Sequence, residues 1–293
     1  MLNKFKLLVP ADLNEALAEY AELGGKCKIL AGGTDVFVEM HGGKTYDCLL
    51  DIKNLEELKG VDYTPENGLV IGALTTHRTL ERMPLIKKIY PALYDGVSQV
   101  GSVQTRTRGT IGGNICNAVP SGDTLGPLLA LNARLVVQGL SGMREIPFED
   151  FFIGPKKTAL CEGELLVRIL VPPPNEESGS AYTKFTRRKA MDLALLGAAV
   201  SLTCGDGKTC GDIRISLSTA APTVIRARET ERFLNGRKLT KEALKEAGNI
   251  ASAEAKPRSS WRSSEAYRRE LLKVLVPQTI EKALERIQRG VEA

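Results

Sequence analysis

A chain of 293 residues, 43% apolar and 26% charged, has the composition of an ordinary globular protein and is long enough for two hydrophobic cores. No apolar run approaches the length that a bilayer requires, so no membrane span and no membrane partner are expected. The net charge of +5 is spread over segments that also carry Glu, and no basic block interleaved with aromatics occurs, which speaks against nucleic acid.

The opening Met1-Leu2-Asn3-Lys4-Phe5-Lys6 has no long apolar core followed by a small-residue cleavage site, so a cytoplasmic location with reduced cysteines is expected. Cys27, Cys48, Cys116, Cys161, Cys204 and Cys210 form no C-x-x-C pair, and this chain is expected to carry no iron–sulfur cluster of its own. Cys204 and Cys210 flank what reads as a hairpin tip. With His41 and His77 as the only histidines, packing explains them better than zinc.

In chain order, residues 14–23 have helical spacing, while 28–30, 48–52 and 69–73 read as strands, an α/β pattern. Helical spacing returns from 79 to 98 around Pro84 and Pro91, and a Gly-, Thr- and Asn-rich stretch from 101 to 122 looks too polar for a core. A helix at 125–132 and strands at 134–138 and 165–171 follow. Pro172-Pro173-Pro174 and the polar run after them read as a linker, which puts a domain boundary there. Beyond it, strands are expected at 181–188, 195–204 and 212–219. Helices are expected at 229–234, 241–253 and 263–289, the last interrupted at Pro277. Together these make a small α+β unit.

Two glycine segments carry the chemistry. Leu30-Ala31-Gly32-Gly33-Thr34-Asp35 follows a strand and runs into Val36-Phe37-Val38. Successive glycines let backbone N–H groups approach an anion, which suits a pyrophosphate, although for one such segment in isolation a tight strand-to-helix turn is the better explanation. Thr110-Ile111-Gly112-Gly113-Asn114 repeats the pattern, and Pro120-Ser121-Gly122-Asp123 closes the segment. Two loops converging on one diphosphate would account for both. Thr34, Thr110, Asn114, Ser121 and Asp123 are then candidates for phosphate or ribose contacts, with Ile111 against an adenine or flavin ring. No G-x-G-x-x-G follows an early strand, and His41-Gly42-Gly43-Lys44-Thr45 lacks the first glycine of a P-loop, so Gly42-Gly43 reads as a helix end. Neither H-E-x-x-H nor G-x-S-x-G occurs.

In these two segments, in Arg187-Arg188 through Leu193-Ala194, and in Pro257-Arg258-Ser259-Ser260-Trp261-Arg262 with Tyr267-Arg268, the sequence resembles the FAD-binding subunits of molybdenum hydroxylases. The late segment resembles those of xanthine dehydrogenases in particular. The resemblance implies a two-lobed FAD-binding domain of the vanillyl-alcohol-oxidase (PCMH) type over residues 1–175, with lobes of about 1–58 and 59–175. A C-terminal α+β domain of the CO dehydrogenase flavoprotein type, a three-stranded sheet with helices, would follow over 180–290. Lys28, Ile29, Leu30, Ala31, Gly32, Gly33, Thr34 and Asp35 would then line the pyrophosphate and ribityl region, and Thr110, Ile111, Gly112, Gly113 and Asn114 the opposite side. Leu166 and Lys184 match further cofactor positions, and Asp192 and Leu193 fall at the isoalloxazine edge. On the residues alone, Leu166 is as well explained by a core and Lys184 by a strand face in water. Trp261 either anchors the C-terminal helices or lies at a subunit interface.

The implied function is an electron relay, from a molybdenum-cofactor large subunit through [2Fe–2S] clusters of a small subunit and the FAD of this chain to NAD. No general acid or base for hydroxylation is expected here. The alternatives are an FAD subunit for another hydroxylase, acting on carbon monoxide, nicotinate or another aromatic ring, or a stand-alone flavoenzyme of the same fold. A non-enzymatic scaffold is disfavoured by the intact glycines.

Overall fold

The computed structural model describes residues 4–291, so Met1–Asn3 of the opening segment lie outside the described residues. The first lobe alternates β1 (Lys6–Leu8), α1 (Leu13–Leu23), β2 (Cys27–Leu30), α2 (Val36–His41) and β3 (Cys48–Asp51). Its sheet is parallel in the order β1-β3-β2, as expected where helices provide the crossovers. Asp12 caps α1 by accepting from the Glu15 N–H at 2.9 Å. Gly42 caps α2.

A second lobe is built on the antiparallel order β4-β5-β10-β6-β7, where β4 is Val61–Thr64, β5 Gly68–Gly72, β6 Arg134–Gly139, β7 Gly142–Pro147 and β10 Leu165–Val171. The small pair β8 (Phe152–Gly154) and β9 (Lys157–Thr158) lies beside it. Between β5 and β6 come α3 (His77–Arg82), α4 (Pro84–Ile89), α5 (Pro91–Ser98), α6 (Val103–Arg108), α7 (Ile111–Asn117) and α8 (Leu125–Ala130). The helical stretch expected from 79 to 98 is thus three short helices. Pro84 and Pro91 each open one, and Met83, ahead of Pro84, is extended (ψ 114), as a residue before proline must be.

Residues 101–122 do reach the core, contrary to expectation. Ile111 and Ile115 are fully buried with Leu69, Ile71 and Ile169. Polar composition hid this because the segment folds into two helices and only one face of α7 is apolar. Strand β10 is buried on both faces. Leu165 and Val167 join the core of the first lobe, and Leu166 and Ile169 that of the second. A register shift between Leu166 and Arg168 accompanies the change of face.

The C-terminal unit is an antiparallel sheet of β11 (Ser178–Phe185), β12 (Leu196–Thr203), β13 (Ile213–Ser218) and the two-residue β14 (Ile225–Arg226). It is covered by α9 (Arg228–Leu234), α10 (Lys241–Glu254) and α11 (Glu265–Val291). The expected break at Pro277 does not occur, and α11 runs through it. The carbonyl of Lys273, four residues earlier, loses its helical partner and lies against Gly248 of α10, where a Cβ would come within 2.5 Å. Strand β11 starts inside the polar run read as linker, because Ser178 and Gly179 pair with Thr203 and Leu202.

Asp95 of α5 joins the units. Its carboxylate accepts from the Tyr182 N–H at 3.0 Å, Lys282 Nζ at 3.0 Å, and the Arg286 Nη1 and Nη2 groups at 2.8 and 2.9 Å.

Candidate functional site

Strand β2 ends at Leu30, and the chain turns through Ala31–Asp35 before α2 begins. Gly33 takes φ +77, a conformation open to glycine. Among the described residues, the backbone N–H groups of Gly32, Gly33, Thr34 and Asp35 donate to no protein acceptor. Consecutive amides left open in this way form a concave donor array suited to an anion. Gly32 packs against the backbone of Arg108, where any Cβ would overlap the carbonyl oxygen. The turn and the end of α6 thus form one wall.

Beside that wall lies a cleft of ≈ 530 Å³ whose lining includes Ala31, Gly32, Thr110, Thr76, Thr79 and Arg108. Lys53 and Lys59 add two cations. Lys53 is paired with Asp51 and Lys59 with Glu56, whereas Arg108 has no carboxylate partner among the described residues. Sequence reasoning missed Lys53, Lys59 and Arg108, since cations at the ends of separate elements meet only in the tertiary fold. Thr76 left a signal. The Thr-x-x-Thr pattern is an N-terminal cap, and the Thr76 hydroxyl accepts from the Thr79 N–H at 3.1 Å.

The second glycine segment does a different job. Its amides are already used, Ile111 N–H by the Thr75 carbonyl and Gly112 N–H by that of Ala73, each at 2.9 Å. Gly113 N–H donates to Thr110 Oγ1 at 3.1 Å and Asn114 N–H to the Thr110 carbonyl at 3.0 Å. Gly112 allows close packing, as a Cβ there would come within 2.6 Å of the Ala73 oxygen. Thr110 faces the cleft and, already accepting from Gly113, keeps its hydroxyl proton for a ligand. The two segments are tied together where Asn117 Nδ2 donates to Asp35 Oδ1 at 2.9 Å. Burial raises the Asp35 carboxyl above its ordinary range. Ala at Gly113 would meet only Thr110 Oγ1, at 2.8 Å. Gly113→Ala is therefore expected to cost about 1 kcal/mol, the worth of the cap, as a thermal melt would show.

The other expected residues fall as follows. Lys28 is exposed, Ile29 half-buried and Leu30 buried in the first lobe. Asn114 Oδ1 accepts from Thr124 Oγ1 at 2.7 Å, and Ser121 is buried. Leu166 and Ile111 are enclosed in the core of the second lobe. Asp192 accepts from the Arg187 and Arg188 amides at 3.1 and 3.2 Å and thereby organises the loop after β11. Lys184 does not face water. Its ammonium is 2.7 Å from Asp123 Oδ2, both side chains are buried, and Tyr182 Oη donates to Asp123 Oδ1 at 3.2 Å.

Two buried groups titrate in opposite senses. Burial, opposed by Lys184, pushes Asp123 up to about 6 from 3.8. Burial, with help from Arg106, holds His77 down at about 4 from 6.5, and its Nδ1 has no partner. A neutral buried His binds fewer protons than the unfolded chain below pH 6.5, so acidification toward pH 4 removes about 3 kcal/mol. A raised carboxyl binds more protons than the unfolded chain between 3.8 and 6, so over that window acidification returns a similar amount, about 3 kcal/mol. His77→Phe is expected to become more stable as pH falls from 6 toward 4, and Asp123→Asn less stable. Denaturant titrations across that window with identical pH slopes in the two variants would contradict the assignment.

Residues 3–174 match the family described as the FAD binding domain in molybdopterin dehydrogenase, and residues 180–283 the CO dehydrogenase flavoprotein C-terminal domain. The chain is 34% identical over 261 residues to the xanthine dehydrogenase FAD-binding subunit of Escherichia coli O157:H7, covering 88% of this chain and 89% of the relative. It is 34% identical over 268 residues to the carbon monoxide dehydrogenase medium chain of Hydrogenophaga pseudoflava, covering 90% and 92%. The solved carbon monoxide dehydrogenase of Hydrogenophaga pseudoflava superposes with a TM-score of 0.93 at 33% identity, over 98% of this chain and 99% of that one.

Proposed function

The chain belongs to the family of FAD-binding domains of molybdopterin dehydrogenases, and on that premise we propose that it is the electron-transfer subunit of a xanthine dehydrogenase-type molybdenum hydroxylase. It would work between the [2Fe–2S] clusters of a small subunit and NAD, in the cytoplasm, with the molybdenum cofactor in a separate large subunit. The observation that carries the reading is the row of open amides from Gly32 to Asp35 beside a cleft with Thr110 and Arg108 in its walls. That donor set fits a dinucleotide pyrophosphate. The resemblance of residues 257–268 to xanthine dehydrogenase flavin subunits, beside the identity to one such subunit, supports the purine.

Bound FAD would supply the exchange between one-electron and two-electron transfer. The protein's own part is binding and placement. Gly32, Gly33 and Thr34 N–H groups would hold the diphosphate, Arg108, Lys53 and Lys59 would balance its charge, and the hydroxyls of Thr110, Thr76 and Thr79 would serve the sugar. By the resemblance, Lys184, held by Asp123, would contact the cofactor, and Asp192, which organises its own loop, would fall at the isoalloxazine edge. Residues 1–175, in lobes 1–58 and 59–175, form the cofactor unit, and 180–290 close it.

A second reading keeps the relay and changes the hydroxylase, supported by the TM-score of 0.93 to a carbon monoxide dehydrogenase chain. The purified chain loaded with FAD is expected to pass electrons from NADH to a dye and to oxidise no purine. Purine turnover by this chain alone would refute the relay. An FAD-loaded chain inert toward NADH would refute NAD as its acceptor.

A further inference from the structure

Cys27 and Cys48 are buried in the core of the first lobe, together with Ala16 and Leu17 of α1. They sit side by side in the parallel sheet, since β2 and β3 pair with Cys27 opposite Cys48. Neighbouring strands run ~4.8 Å apart, which falls inside the Cα separation that a disulfide spans, and side chains in register leave the sheet on the same face. The sulfurs meet there. Cys27 Sγ donates to Cys48 Sγ at 2.7 Å, and both residues are free thiols. Among the described residues no other two cysteine sulfurs stand in hydrogen-bond contact.

Packing accounts for a single buried cysteine, which behaves as a small apolar side chain. It does not account for two that turn their sulfurs onto each other, because a thiol is a weak donor and a weak acceptor and gains little from the contact. Burial, helped by the Cys48 thiol, pushes Cys27 up to about 12, while Lys6, opposite Cys48 on its other side in β1, pulls the other way. Cys27 therefore keeps its proton at neutral pH, and Cys48, which accepts the hydrogen bond, is the sulfur placed to attack. Each residue is 5% exposed, which admits a reagent of about the size of water and shuts out bulky thiols and disulfides.

We propose that Cys27 and Cys48 form a dithiol modification site, which hydrogen peroxide converts to an intrachain disulfide that locks the first lobe. The Cys48 sulfur attacks one peroxide oxygen, the O–O bond breaks, and the released hydroxide leaves as water with the Cys48 thiol proton, giving a sulfenic acid. The Cys27 sulfur then attacks the sulfenic sulfur, the S–O bond breaks, and a second water leaves with the Cys27 proton. Two thiols lose two electrons in all, and one peroxide becomes two waters. Without such an oxidant the pair rests as two thiols, the state favoured in a reducing compartment. The two cysteines are 21 residues apart in sequence, and the loop that the bond closes contains the Ala31–Asp35 turn and α2. Closing it removes conformational freedom chiefly from the unfolded lobe, so the open amides of the turn stay in place where the reduced lobe would unravel. None of this requires the relay.

The test uses the full chain, reduced, freed of reductant and exposed to dilute hydrogen peroxide. It is then unfolded in an alkylating reagent, digested without reductant and read by mass spectrometry. The expected product is a pair of peptides joined through Cys27 and Cys48. The oxidised chain is expected to melt roughly 5–10 °C above the reduced one. Cys27→Ala and Cys48→Ala are each expected to abolish the joined peptides and the shift. The main comparison is of one unmutated chain in two redox states, so a variant that folds poorly does not blunt it. Free thiols at both positions after peroxide, or a sulfinic acid at either with no joined peptide, would overturn the site. Joined peptides with an unchanged melt would overturn the lock.

Discussion

Replacing Lys184 with methionine is expected to destabilise the protein by about 3–5 kcal/mol above neutral pH. The substitution keeps most of the volume and removes the ammonium that lies 2.7 Å from Asp123 Oδ2. Asp123 is then a buried carboxylate with only the Tyr182 hydroxyl to satisfy it. Burial already lifts its proton affinity, with Lys184 as the main opposing influence, so without the lysine the carboxyl is neutral in the fold at a higher pH. The loss is therefore expected to shrink on acidification, as the folded variant takes up the proton at a pH where the unfolded chain has not yet done so. Lys184→Met/Asp123→Asn is expected to recover more than half of the stability, because an apolar or neutral pair is tolerated where a lone charge is not. Denaturant melts of the four species at mildly alkaline and acidic pH check this. Additive losses in the double variant would mean that the two side chains are not energetically coupled.

Gly32→Ala is expected to lower FAD affinity by about a hundredfold, the upper end of what forced overpacking costs. The new methyl group overlaps the carbonyl oxygen of Arg108, and the only relief is to part the turn from the end of α6. That parting moves the open amides away from Arg108 and Thr110, which line the same cleft. Gly25→Ala is the control, since a Cβ there meets nothing within 4 Å. Isothermal titration with FAD against the unmutated chain, with a thermal melt to confirm folding, gives both numbers. Equal affinity in Gly32→Ala and Gly25→Ala would place the pyrophosphate elsewhere.

What could be read in advance follows from how local each determinant is. Strand β10 was expected at residues 165–171 and is found at Leu165–Val171, because a run of branched apolar residues closed by prolines has one reading. The Ala31–Asp35 turn was legible for the same reason, as glycines after a strand announce an unusual backbone. The parallel function expected for the second glycine segment was not fully legible. Whether the amides of Ile111 and Gly112 are open depends on Thr75 and Ala73, some forty residues earlier in the chain. Lys184 had two equal readings in sequence because its partner, Asp123, lies on a distant segment. The break expected at Pro277 does not occur, and α11 runs through it; that the freed Lys273 carbonyl would pack closely against Gly248 of α10 could not be read in the sequence. Trp261 shows the reverse error, since a lone large aromatic suggests burial until its surroundings prove to be guanidinium groups.

The four contacts on Asp95 also have a mechanical meaning. One carboxylate holds α5 of the helix-rich second lobe, the strand that carries Lys184, and the later turns of α11 at a single point. A hinge rotation between the lobe and the C-terminal unit would have to break all four contacts together, so the interface resists slow rocking as a rivet does. If the chain passes electrons as proposed, this rigidity would hold the second lobe and the C-terminal unit at one spacing around the cofactor, and tunnelling probability falls exponentially with distance. Asp95, which touches no substrate, would in this way set the spread of transfer rates within a population of molecules.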